Sequence, residues 1–150
     1  MNIEFNHIAM RCKNIDAVAT FFTEVIGLEK GFRPPFSFDG YWLYSPQNKQ
    51  NAIIHIFGEE ASFNNFSSKA NNGLLDHIAF SREDYSNFIQ HITHLKISFE
   101  ENFVPDSNTK QVFLKGPENL TIEIDFIQRF LLFHRRKNEH IISYSRILNF

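Results

Sequence analysis

Cysteine is almost missing from this chain. Cys12 is the single one in 150 residues, so no intrachain disulfide can form, and a reducing compartment fits. An excess of one charge sign is missing too. The formal net charge of -2 excludes a global basic field for nucleic acid. The one basic cluster, Arg135-Arg136-Lys137, is too short to supply a local one. No apolar run approaches the ~20 residues that span a bilayer. The greasiest stretch, Phe126 to Phe133, is broken by Gln128 and Arg129. The start, Met1-Asn2-Ile3-Glu4-Phe5, has neither the basic nor the apolar region of a secretory leader. These absences set an expectation of a cytoplasmic protein with no nucleic-acid and no membrane partner.

Hydrophobic residues make up 43% and charged residues 21%, which suits one compact globular domain. Phenylalanine is abundant at 18 copies, which suggests an aromatic core or an aromatic-lined cavity. Above all, the chain repeats itself. Asn6-His7-Ile8-Ala9-Met10 returns 70 residues later as Asp76-His77-Ile78-Ala79-Phe80. Asn51-Ala52-Ile53-Ile54-His55-Ile56 is echoed by Asn119-Leu120-Thr121-Ile122-Glu123-Ile124.

A period of that length means two copies of one supersecondary unit. In the first copy Asn14 caps a helix with apolar positions Ile15, Val18, Phe22 and Val25, stopped by Gly27. In the second, Ser81 and Asp84 resemble a capping box before Tyr85, Phe88, Ile92 and Leu95. Three strand candidates follow each helix: 28–32, 41–44 and 52–57, then 97–104, 111–114 and 120–126. The last two of each set are joined by Ser45-Pro46-Gln47-Asn48 and Gly116-Pro117-Glu118-Asn119. The expected architecture is α+β: tandem βαβββ modules at 1–60 and 74–126, with a linker at 61–73. A C-terminal extension, 127–150, matches neither copy.

Alternation along the strands gives each a mainly apolar face to pack under the helices and another that presents one coordinating residue: His7, His55, His77 and Glu123. A buried carboxylate needs a partner, and a divalent cation shared with imidazoles is one solution. The set therefore predicts one metal ion, Fe2+, Ni2+, Mn2+ or Zn2+, in each site. His91 and His94 belong to a solvated helix face, and His134 and His140 to the unmatched tail.

On these residues the chain resembles the vicinal-oxygen-chelate superfamily, which includes glyoxalase I, fosfomycin-resistance transferases, extradiol dioxygenases and bleomycin-binding proteins. The resemblance covers residues 1 to about 126. It implies a metal at the concave face of a partly closed mixed β-barrel, with His7, His77 and Glu123 as ligands. It also implies a homodimer whose subunits both contribute ligands, and a small-molecule substrate bound through vicinal oxygens. By the isomerase-like pattern His55 is a fourth ligand. By the dioxygenase-like pattern it is an acid/base beside a triad of two imidazoles and a carboxylate. The catalytic candidates are thus His55 and Gln111, the latter placed to orient the bound oxygen or else an ordinary strand residue. Ring-cleaving members tend to carry a Tyr on the penultimate strand, where this chain has Gln111 and Phe113. Lys110 and Lys115 are too few for a phosphonate site. Arg33-Pro34-Pro35-Phe36 fits a substrate-side or a structural loop, and Phe36, Phe38, Tyr41 and Trp42 are candidate pocket walls. The expectation is a metal-dependent lyase, isomerase or dioxygenase; the alternative is a non-catalytic, bleomycin-resistance-like binding protein.

Overall fold

The computed structural model describes residues 3–61, 75–104 and 109–127. The expected linker, apart from Ala61, and the extension beyond Ile127 lie outside them. The first module opens with β1 (Ile8–Cys12) and helix α1 (Ile15–Thr20), which continues in wider π geometry over Phe21–Ile26. Strands β2 (Glu29–Lys30), β3 (Gly40–Ser45) and β4 (Asn48–Gly58) follow. The second module repeats the order with β5 (Ile78–Arg82), α2 (Tyr85–His94), β6 (Phe99–Phe103), β7 (Thr109–Lys115) and β8 (Thr121–Ile127). Each βαβββ module is one mixed sheet, in the order β1-β4-β3-β2 and β5-β8-β7-β6. Among the described residues no strand joins the two sheets, so the expected barrel is open. No described helix is long and apolar enough to cross a membrane.

Local chemistry explains the helix ends. Asn14 caps α1 by accepting from the Ala17 amide at 2.9 Å, and Gly27 ends the helix at φ 90°, a conformation open to glycine. The expected capping box of the second helix does not form. Asp84 is the N-cap residue, but Arg82 takes its carboxylate through Nε and Nη2 at 2.8 and 2.7 Å. That pairing holds the Asp84 carboxyl below its usual range. Leu95, expected in the apolar stripe, is 39% exposed.

One core unites both modules. Phe22, Leu43, Ile54 and Ile56 from the first meet Phe88, Ile92, Ile122 and Ile124 from the second in a single cluster. Fully burying each contributes roughly 1.5–3 kcal/mol. The second module also grips the first helix at both ends. Glu118 accepts from the Lys13 and Asn14 amides at 2.8 and 3.1 Å, and Arg82 Nη1 donates to the Ile26 carbonyl at 2.9 Å. His91, expected to be merely solvated, donates its Nε2–H to the Glu24 carbonyl at 2.6 Å. The helices therefore lie on one side of the sheets, leaving the other side to the donor residues.

Two outcomes follow. A Cβ at Gly40 would lie 2.2 Å from the Ile56 carbonyl oxygen, so Gly40→Ala must push β3 off β4. Urea denaturation should show a loss of about 1–3 kcal/mol. Burial pushes the Cys12 thiol up to about 11. At pH 8 native protein should therefore alkylate with iodoacetamide at least a hundredfold more slowly than urea-unfolded protein.

Candidate metal centre

The strand registers are the same in both modules. Ala9 pairs with His55 and Ala79 with Glu123 across the parallel pairs, while Trp42 and Phe113 flank them from the antiparallel side. His55 and Glu123 thus hold one position of the duplicated unit. His7 and His77 hold another, on the same face as His55 and Glu123. Both lie just before their strands, which begin at Ile8 and Ile78.

The second module builds the more polar half. Glu123 is the one buried charged side chain among the described residues, at 5% exposure. Burial first, and the neighbouring Asp125 second, raise its carboxyl above the usual range. His77 Nε2 meets Glu123 Oε2 at 2.9 Å, and His77 Nδ1–H donates to Asp76 Oδ2 at 2.8 Å. The Asp76 hydrogen bond is the main reason the His77 imidazole is held above its ordinary value. Gln111 donates through Nε2 to Glu123 Oε1 and to Asp125 Oδ1, while Asn102 donates to Gln111 Oε1 at 3.0 Å. Gln111 therefore ties the two carboxylates of this face to one side chain.

The first module builds an aromatic half. His55 lies between two rings, with centroids 3.9 Å from His7 and 3.9 Å from Trp42. Burial, with a smaller contribution from His7, lowers the His55 imidazole to about 4, so it is neutral at pH 7. His7 Nδ1–H donates to Asn6 Oδ1 at 2.6 Å, repeating the Asp76–His77 contact. Tyr41, a candidate wall, instead points to the helix side and donates to Asp16 at 2.6 Å. Lys110 is engaged with Tyr85 and Glu101. A cavity of about 770 Å³ lies between the modules beside Ile26, Pro46, Phe80 and Arg82, and no candidate donor lines it.

The donor chemistry fits a divalent ion. In both repeats the residue before the histidine takes Nδ1–H, which leaves Nε2 as the coordinating nitrogen, the arrangement that orients metal-binding imidazoles. Nε2 of His77 and Oε2 of Glu123 are separated by close to the roughly 3 Å expected of neighbouring ligand atoms held at about 2.1 Å from one ion. One chain by itself supplies these donors two by two. Among its described residues no group of three or more His, Cys, Asp or Glu is arranged to hold a metal ion.

Asn6, Asp76, Asp125 and Asn102 were not singled out from sequence as supports. The signal for the first two was present: a hydrogen-bond acceptor precedes the histidine in both copies.

No protein-family model and no curated protein matches the sequence. Solved structures do match the fold. The genomically encoded fosfomycin resistance protein FosX from Listeria monocytogenes superposes with TM-score 0.62 at 14% identity, covering 85% of this chain and 96% of its own. A lactoylglutathione lyase from Agrobacterium tumefaciens gives 0.60 at 17%, covering 82% and 92%. A protein from Bacillus anthracis assigned to the glyoxalase family gives 0.65 at 18%, covering 85% and 98%. The paired modules of this chain share the fold of these three proteins. One matching structure is a FosX variant complexed with Mn(II) and dihydroxypropylphosphonic acid.

Removing the Gln111 amide should leave Glu123 and Asp125 facing each other without a shared donor. Gln111→Leu is expected to cost about 1–3 kcal/mol in urea denaturation at pH 7. The deficit should shrink at acid pH, where the Glu123 carboxyl, already raised by burial, takes up its proton.

Proposed function

We propose that this protein is a metal-dependent enzyme acting on a small metabolite that presents two neighbouring oxygens. The observation that carries this reading is the paired, pre-aimed His77 Nε2 and Glu123 Oε2 on the donor face. A homodimer supplies the rest: the His77–Glu123 half of one subunit faces the His7 half of its partner. Exposed apolar side chains beside the two histidines support such an interface, with Ile3 at 98%, Phe5 at 79% and Leu75 at 48% exposure.

His7, His77 and Glu123 would then hold the ion, a set of two imidazoles and one carboxylate suited to Fe2+, Mn2+, Ni2+ or Zn2+. The bound ion would act as a Lewis acid on substrate oxygens. The chain's own residues set that site up. Asp76 and Asn6 fix the imidazole tautomers, and Gln111 with Asn102 behind it fixes the carboxylate plane. His55 is held in its ring stack and neutral near pH 7, so it is available as a fourth ligand or as a proton acceptor. Its low value disfavours service as a proton donor at that pH. With Gln111 committed to Glu123 and Phe113 beside it, β7 offers no phenol for ring cleavage. A lyase or isomerase reaction is therefore favoured over an extradiol dioxygenase.

Elemental analysis of protein purified without added metal should find about one divalent ion per subunit, and Glu123→Ala should lose it. Mixing variants tests the shared site. His7→Ala and Glu123→Ala homodimers should each bind no metal, whereas an equal, randomly reassociated mixture should recover about a quarter of the wild-type sites. No recovery would place all ligands in one chain. A metal-free protein with tight drug affinity would favour the non-catalytic reading.

A further inference from the structure

The first module holds its histidine differently from the second. In the second, His77 meets the Glu123 carboxylate directly, and Phe113 stands edge-on to its ring at 6.1 Å and 87°. In the first, the same strand positions carry His55 and Trp42. There the rings lie flat on one another. Trp42 and His55 are 3.9 Å apart and 3° from parallel, and His55 and His7 are 3.9 Å apart and 18° from parallel.

The two ends of this stack are anchored unequally. Trp42 is half-buried in β3, between β2 and β4, where its carbonyl accepts from the Gly31 amide at 3.1 Å and Phe36 packs against its ring. His7 is exposed and lies outside the β1–β4 ladder, which starts at Ile8. Its ring is held at the edge by Asn6 and on its flat side by His55. Order therefore passes from Trp42 through His55 to His7.

The stack also limits what His55 can do. An imidazole nitrogen binds an ion along its own ring plane, about 2.1 Å out. Rings stacked at contact keep their planes about 3.5 Å apart. An ion in the plane of His7 thus lies well off the plane of His55. The tilt of 18° is too small to bring the planes together within one ring and one bond.

We propose that Trp42 is a positioning residue: through the ring of His55 it sets the plane in which His7 presents Nε2, and His55 stays outside the ligand set of that ion. The proposal rests on the metal site proposed above and narrows the role of His55 within it.

The test has two arms, both on full-length protein stripped of metal with EDTA. The first follows the His7 imidazole proton resonances, assigned by their loss in His7→Gln. Trp42→Leu should move them although His55 stands between the two rings, and Trp42→Phe should restore most of their position. The second is titration with Co(II). His55→Phe keeps a flat ring without nitrogens and should bind within about threefold of wild type, with an unchanged visible spectrum, whereas His55→Ala should bind about tenfold more weakly. If Trp42→Leu does not fold, the two His55 variants carry the test. Equal losses in His55→Phe and His55→Ala, with altered visible bands in both, would make His55 a ligand and overturn the proposal. So would full Co(II) affinity in His55→Ala, or His7 resonances indifferent to Trp42→Leu. Wild-type protein that takes up no Co(II) would sink the metal reading and the claim about the ligand set. His7 resonances that still answer to Trp42 would then uphold the ring relay alone.

Discussion

Burying one carboxylate inside an open sheet constrains everything around it. Glu123 sits beneath solvent with the core behind it, where an unpaired charge would cost several kcal/mol. Its neighbours are arranged to prevent that. His77 approaches one oxygen, Gln111 the other, and each is braced from behind by Asp76 or Asn102. The brace spans β6, β7, β8 and the entry to β5, so each contact to Glu123 is anchored in the sheet. A preformed donor pair of this kind has little geometry left to acquire on binding an ion.

Duplication then allowed the two halves to diverge. The same strand position carries Glu123 in one module and His55 in the other, flanked by Phe113 and by Trp42 respectively. An imidazole in that place needs no counter-charge. It is satisfied by flat neighbours, and a stack grew where the other module has a hydrogen-bond relay. One half presents a carboxylate beside an imidazole, and the other a stack of flat rings.

Much of this was legible before any coordinates. The repeated phrases carried the βαβββ order of both modules, and Gly27 marked the end of the first helix through its backbone conformation. Asn119, a residue type suited to the turn before β8, adopts a left-handed φ of 63°. The misses share a cause. Alternation tells which face a side chain takes but not which neighbour it meets, since that depends on register between distant strands. Hence the ring stack on His55 and the clamp of Gln111 on Glu123 emerged only from pairing. The strands also begin later than alternation implied, because residues 3–7 are paired with nothing in the described chain. Asp84 lost its capping role for a different, local reason: Arg82, two residues before it and at the place of Cys12 in the first module, takes its carboxylate.

The central claim is that two incomplete donor pairs become one centre when two copies of the chain meet. The most direct measurement is anomalous diffraction from crystals grown with Mn(II). The account predicts a manganese peak bounded by His77 and Glu123 of one subunit and by His7 of the other. A peak at neither pair, or an assembly that keeps His7 far from the partner's Glu123, would contradict it.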